Sequence, residues 1–162
     1  MSDILVVDDQ AGMRKSLSIL LKKEGYDVEE AEGGECAIEC LKNKQFDLVI
    51  TDLKMSPVTG MDVLRYVKEK YPRTEVIIMT AYGTVDSAVT AMKMGAFDYI
   101  SKPFKNEEIL HRIRKSIEHT ETARELNEIR KEPEKRFPII GQSKTIKGII
   151  SLIERIAKID LP

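Results

Sequence analysis

Apolar and polar positions along the chain switch repeatedly between two periods. Ile4 to Val7 is a short unbroken apolar run, the pattern of a strand buried on both faces. Met13, Leu17, Leu20 and Leu21 then recur at helical spacing, and Gly25 stands where a left-handed cap would end that helix. Tyr26 to Ala31 reads as a second strand and Gly33 to Lys44 as a helix. Phe46 to Thr51 is strongly apolar and runs into Asp52. A helix follows over Met61 to Tyr71, with Val63, Leu64 and Val67 on one face and Pro72 as its stop. Glu75 to Met79 (strand), Val85 to Met94 (helix) and Phe97 to Ile100 (strand) complete the series. A fifth helix is expected from Asn106, taken as its N-cap. It should finish near Ser116, yet helical composition continues through Arg130.

Alternation of this kind predicts an α/β fold with a parallel sheet. Right-handed crossovers put helices on both faces, a doubly wound arrangement. Five strands then take the flavodoxin-like order 2-1-3-4-5, with an extended C-terminal helix appended. Ligands of such sheets bind beyond the carboxyl ends of the strands, where the order reverses between strands 1 and 3.

The continuation of the fifth helix changes the picture of the chain's end. Glu108 with Arg112, and Glu121 with Arg124, are spaced to pair along it. Leu110, Ile113 and Ile117 form an apolar seam, while Leu126 and Ile129 return in a different register. A solvated linker helix and a self-associating one both fit this pattern. Lys131 to Arg136 is charged, contains Pro133 and reads as a break. Beyond it, Ile146, Ile149, Ile150, Ile153, Ile156 and Ala157 share one helical face. Such a stripe, with nothing after it to cover it, is expected of a second domain cut short.

Composition narrows the class. Of 162 residues, 42% are hydrophobic and 33% charged, as in soluble globular proteins. Lys plus Arg (26) nearly balances Asp plus Glu (27), so nothing points to nucleic-acid or membrane binding by this piece. Met1 to Asp9 lacks the basic region of a secretory signal, and no apolar run approaches the length that spans a bilayer. A cytoplasmic protein is expected. Cys36 and Cys40, the only cysteines, have no partner pair at zinc spacing and are read as small core or boundary residues.

The chemistry gathers at strand ends. Asp8 and Asp9 end strand 1 and Asp52 ends strand 3, its predicted neighbour. Three converging carboxylates repel one another unless a cation sits among them. Oxygen-only ligation suits a hard divalent ion, Mg²⁺ first. Thr80 ends strand 4 and Lys102 ends strand 5, adding a hydroxyl and an ammonium that suit a phosphoryl group. Lys102-Pro103 is a candidate cis peptide. No glycine-rich nucleotide loop follows strand 1.

The set Asp8-Asp9, Asp52, Thr80 and Lys102-Pro103 resembles the receiver domain of two-component response regulators, over roughly Met1 to Glu118. The stretches Met79-Thr80-Ala81-Tyr82-Gly83 and Asp98-Tyr99-Ile100-Ser101-Lys102-Pro103-Phe104 look most like NtrC-type receivers. Phe137-Pro138-Ile139-Ile140-Gly141-Gln142-Ser143 resembles the opening of the sigma-54-interacting AAA+ ATPase domain of those activators. The resemblance implies a receiver at 1–118, a helical linker at 119–136 and an ATPase fragment at 137–162. It implies phosphorylation of Asp52 by a sensor histidine kinase, with Asp8, Asp9, Asp52 and the Lys54 carbonyl around Mg²⁺. Thr80 and Lys102 would hold phosphoryl oxygens, and Tyr99 would be the switch aromatic, with Met92 on the same output face. Lys54 and Tyr82 would tune dephosphorylation. ATP, sigma-54 RNA polymerase and enhancer DNA would be met only through missing domains. A homodimer through the helix and linker after Asn106 is expected, with the regulatory sign left open. Three rivals remain: a Mg²⁺ phosphatase, against which Lys54 stands where a second carboxylate is needed; an FMN binder, whose phosphate Asp8-Asp9-Gln10 would repel; and a single-domain receiver acting by protein contact alone, which the Ile-rich tail disfavours.

Overall fold

The computed structural model describes residues 2–81 and 83–131, with side chains as far as residue 123. Strands and helices alternate: β1 (Asp3–Val7), α1 (Ala11–Lys23), β2 (Asp27–Ala31), α2 (Gly34–Asn43), β3 (Leu48–Asp52), α3 (Gly60–Lys70), β4 (Glu75–Thr80), α4 (Val85–Lys93), β5 (Asp98–Ser101) and α5 (Asn106–Lys131). All strands join one parallel sheet in the order β2-β1-β3-β4-β5, as the sequence predicts. The chain divides into two compact units, Met1–Asn127 and Glu128–Pro162. The linker break at Pro133 and the Ile-rich face of 146–157 lie outside the described residues.

Because successive side chains on a strand point to opposite faces, each apolar run feeds two cores. Ile4, Val6, Leu48, Ile50, Ile77 and Met79 pack with Leu17 and Leu21 of α1 and with α5. Leu5, Val7, Val49, Val76 and Ile78 pack with α2, α3 and Ala91 of α4. Unbroken apolar runs were needed at β1, β3 and β4 because both faces are covered. Helix α1 gives way to Gly25 at φ 91°, a left-handed turn that only glycine takes without strain.

Two expectations are corrected. Asn106 is the first residue of α5, not its cap; the carbonyl of Lys105 already accepts from the N–H groups of Glu108 and Ile109. The seam of Leu110, Ile113 and Ile117 is not free for a helical partner. With Ile109 it is buried against the sheet, and Thr120, 3% exposed, extends the covered face by donating to the Ser116 carbonyl. The apolar period of α5 is therefore spent within the domain. Among the described residues no helix is long and apolar enough to cross a membrane.

Candidate functional site: the carboxyl ends of β1, β3, β4 and β5

Strand register sets the site. Val7 pairs with Thr51, so Asp8 and Asp52 leave neighbouring strands side by side. Asp8 is fully buried and Asp52 nearly so. Each carboxylate is first oriented by its own chain: Asp8 Oδ1 accepts from the Gln10 N–H at 2.8 Å, and Asp52 Oδ2 from the Lys54 N–H at 2.9 Å. These are local turns of the kind aspartate favours. The other two oxygens, Asp8 Oδ2 and Asp52 Oδ1, both accept from Lys102 Nζ at 2.7 Å.

Lys102 is aimed by its backbone. Its N–H donates to the Thr80 carbonyl at 2.7 Å, and the Lys102–Pro103 peptide bond is cis. A second cis bond, Ser56–Pro57, was not anticipated from the sequence. Burial, the largest influence on the Lys102 ammonium, lowers its pKa; hydrogen bonds and charge from Asp52 and Asp8 outweigh that and hold it above the ordinary lysine value. Thr80 closes β4 as a buried residue, and Tyr99 sits half-buried on β5. Helix α3 begins hard against the site, where a Cβ on Gly60 would collide with the Asp52 carbonyl oxygen. Arg14 of α1 donates to the Asp8 carbonyl at 2.6 Å, a tie no sequence motif announced.

Asp9 behaves differently from its neighbour. It is exposed, and it borders two surface grooves, one shared with Lys54 and Met61 and the other with Arg14 and Glu32. Among the described residues no three acidic, His or Cys side chains are gathered closely enough to hold an ion. The expected three-carboxylate cluster is thus a buried pair bridged by an ammonium, with the third acid in water. The physical reason is mutual repulsion: Lys102 compensates one of the two buried charges, and a third carboxylate is better solvated than packed beside them. The donor set still fits Mg²⁺. It is all oxygen, it keeps a net negative charge after Lys102 is counted, and it offers few protein ligands, which suits an ion that retains much of its water shell.

Residues 4–114 match the response regulator receiver domain family. The chain belongs to that family. It is 35% identical over 158 residues to the transcriptional regulatory protein ZraR of Klebsiella oxytoca, an alignment covering 98% of this chain and 35% of ZraR. It is 31% identical over 156 residues to the DNA-binding transcriptional regulator NtrC of Proteus hauseri, covering 96% and 33%. The chain therefore spans about a third of the length of the curated relatives it matches. A receiver domain protein from Clostridium thermocellum superposes with a TM-score of 0.72 at 34% identity, covering 76% of this chain and 99% of that one. The beryllofluoride-activated NtrC4 receiver domain dimer gives 0.71 at 35%, covering 74% and 99%. This receiver is accordingly a two-component regulatory domain of the NtrC and ZraR kind. Tyr82, expected beside the site, lies outside the described residues.

Proposed function

We propose that Asp52 accepts a phosphoryl group from the phosphohistidine of a sensor kinase, and that this switches an attached sigma-54-dependent ATPase. The observation that supports it best is the Lys102 ammonium held at 2.7 Å from both Asp8 and Asp52 at the carboxyl ends of adjacent strands. An Asp52 oxygen attacks phosphorus, a P–O bond forms, and the P–N bond breaks with its electron pair leaving on the imidazole. The Lys54 N–H fixes the carboxylate's orientation, so little motion is needed for in-line approach. Lys102 then turns from the carboxylates to the phosphoryl oxygens, and Thr80 supplies a hydroxyl on the same rim. Asp9, Asp8, Asp52 and the Lys54 carbonyl would hold Mg²⁺, which when bound supplies positive charge to the phosphoryl oxygens.

Tyr99 reads the modified state. Moving a two-state equilibrium from 1:99 to 99:1 takes about 5.5 kcal/mol of differential stabilisation, and new contacts to a dianion supply a share of it. The receiver occupies 1–118, followed by a helical linker at 119–136 and an ATPase fragment at 137–162. The whole protein works in the cytoplasm as a homodimer. With the Leu110–Ile117 seam buried, the dimer contact falls to the exposed side of the domain or to the linker. The test is labelling by radioactive acetyl phosphate with MgCl₂. The chain is expected to be labelled and Asp52→Ala to lose the label; equal labelling of both overturns the assignment.

A further inference from the structure

The turn between β4 and α4 carries a hydrogen-bonded cap that reaches outside its own helix. Thr84 and Ser87 form a reciprocal pair at the start of α4. The Ser87 N–H donates to Thr84 Oγ1 at 3.1 Å and the Thr84 N–H donates to Ser87 Oγ at 3.0 Å. Ser87 Oγ also lies 2.9 Å from the Thr84 carbonyl and 2.9 Å from the Tyr99 hydroxyl of β5. A serine hydroxyl has one proton. With that proton on the Thr84 carbonyl, Tyr99 is the donor in the second contact. The first turn of α4 therefore ends in an acceptor aimed at the aromatic ring of β5.

Gly83 completes the arrangement. A Cβ there would stand 2.7 Å from the Tyr99 hydroxyl oxygen and 3.0 Å from both Tyr99 Cε1 and Thr80 Cγ2. The Tyr99 hydroxyl is thus received beneath the turn through space left by the missing side chain, next to the methyl group of Thr80. The ring itself packs on the core layer that includes Ala91 and Ala96.

We propose that Gly83 and Ser87 form a seat for the Tyr99 hydroxyl, which makes Ser87 a positioning residue for the switch. The seat couples the ring to the first turn of α4, the helix that exposes Val85, Val89 and Met92. Any movement of Tyr99 then makes or breaks a hydrogen bond to Ser87, the residue that shares the α4 cap with Thr84, and so acts on the end of that helix next to its exposed apolar face. The regulatory meaning rests on the phosphoacceptor reading above; the seat itself does not.

The test uses the 162-residue chain labelled with 3-fluorotyrosine. It has five tyrosines, and the Tyr99 signal is assigned by its loss in Tyr99→Phe. In Ser87→Ala the Tyr99 fluorine resonance is expected to move toward that of the free amino acid. Gly83→Ala displaces the ring sterically and gives the same direction of shift. Ser87→Thr keeps the hydroxyl and restores the wild-type position. Acetyl phosphate labelling of Ser87→Ala stays at the wild-type extent. An unmoved Tyr99 resonance in Ser87→Ala, or failure of Ser87→Thr to restore it, overturns the seat. Absence of labelling in the wild-type chain counts instead against Asp52 as phosphoacceptor.

Discussion

The two ends of one sheet each hold a lysine among buried acids, and they are balanced differently. At the amino end, Lys68 Nζ of α3 donates to Glu75 Oε2 and to the Thr74 carbonyl, both at 2.9 Å. The second Glu75 oxygen lies 2.8 Å from His119 Nδ1 of α5, and the Thr74 hydroxyl donates to the Phe46 carbonyl. One acid meets one ammonium and one imidazole, and the Thr74 hydroxyl closes on backbone. At the carboxyl end, Lys102 faces two acids, and Asp9 adds a third charge nearby. The first cluster satisfies itself. The second carries surplus negative charge, which costs stability unless a cation arrives. A site that is underneutralised by its own protein is one built for something brought from outside.

Removing each lysine should separate the two ends most widely. Lys102→Met leaves two facing carboxylates in a buried setting and is expected to cost about 3–5 kcal/mol in metal-free urea titrations. Lys68→Met leaves Glu75 with His119 and should cost about 1–2 kcal/mol. Equal losses would erase the distinction. The pH dependence has a fixed sign. Because the folded Lys102 pKa lies above the ordinary value of about 10.4, its contribution is complete below that pH and is lost as pH climbs through the raised folded value. The gap between wild type and Lys102→Met should therefore be flat at neutral pH and close only in strong alkali.

Removing one acid should change the sign. Asp52→Asn relieves the surplus and is expected to raise metal-free stability by on the order of 1 kcal/mol, since like charges at close range repel and a buried ion pair is often no more stable than a neutral replacement. Glu75→Gln unbalances a satisfied cluster and should lower it by a similar amount. Two losses would mean that the carboxyl end is as neutral as the amino end. A smaller effect comes from the cap of α3 beside the site. Thr59→Ala should cost about 1 kcal/mol, since Thr59 and Asp62 cap one another. The hydroxyl of Thr59, then its N–H, hold the Asp62 carboxyl below its ordinary range. Its contribution is therefore present above about pH 3.9 and fades as pH falls through the lowered folded value. Acid titration of the Thr59→Ala gap checks this.

What the sequence made legible follows from how local each signal is. Buried strands β1, β3 and β4 were written as continuous apolar runs, and their carboxyl ends, with that of β5, put Asp8, Asp52, Thr80 and Lys102 on one rim. The order of the sheet followed from crossover rules. Features made by distant partners were hidden. The tie between Ser87 and Tyr99 spans twelve positions and depends on tertiary packing. The apolar period of α5 announced a buried face without saying what would bury it, so a seam spent on the sheet resembled one available to a partner. Asp9 was grouped with Asp8 because they are adjacent, although successive residues at a strand end diverge.

Melting of the wild-type chain against MgCl₂ at constant ionic strength tests the surplus-charge account most directly. Binding that favours the folded state stabilises by about 2.7 kcal/mol at a hundredfold excess over Kd. The account predicts a melting temperature that climbs with magnesium in the wild type, while Asp52→Asn starts higher and responds less. A wild-type melting temperature indifferent to magnesium, with Asp52→Asn no more stable than wild type in its absence, would contradict it.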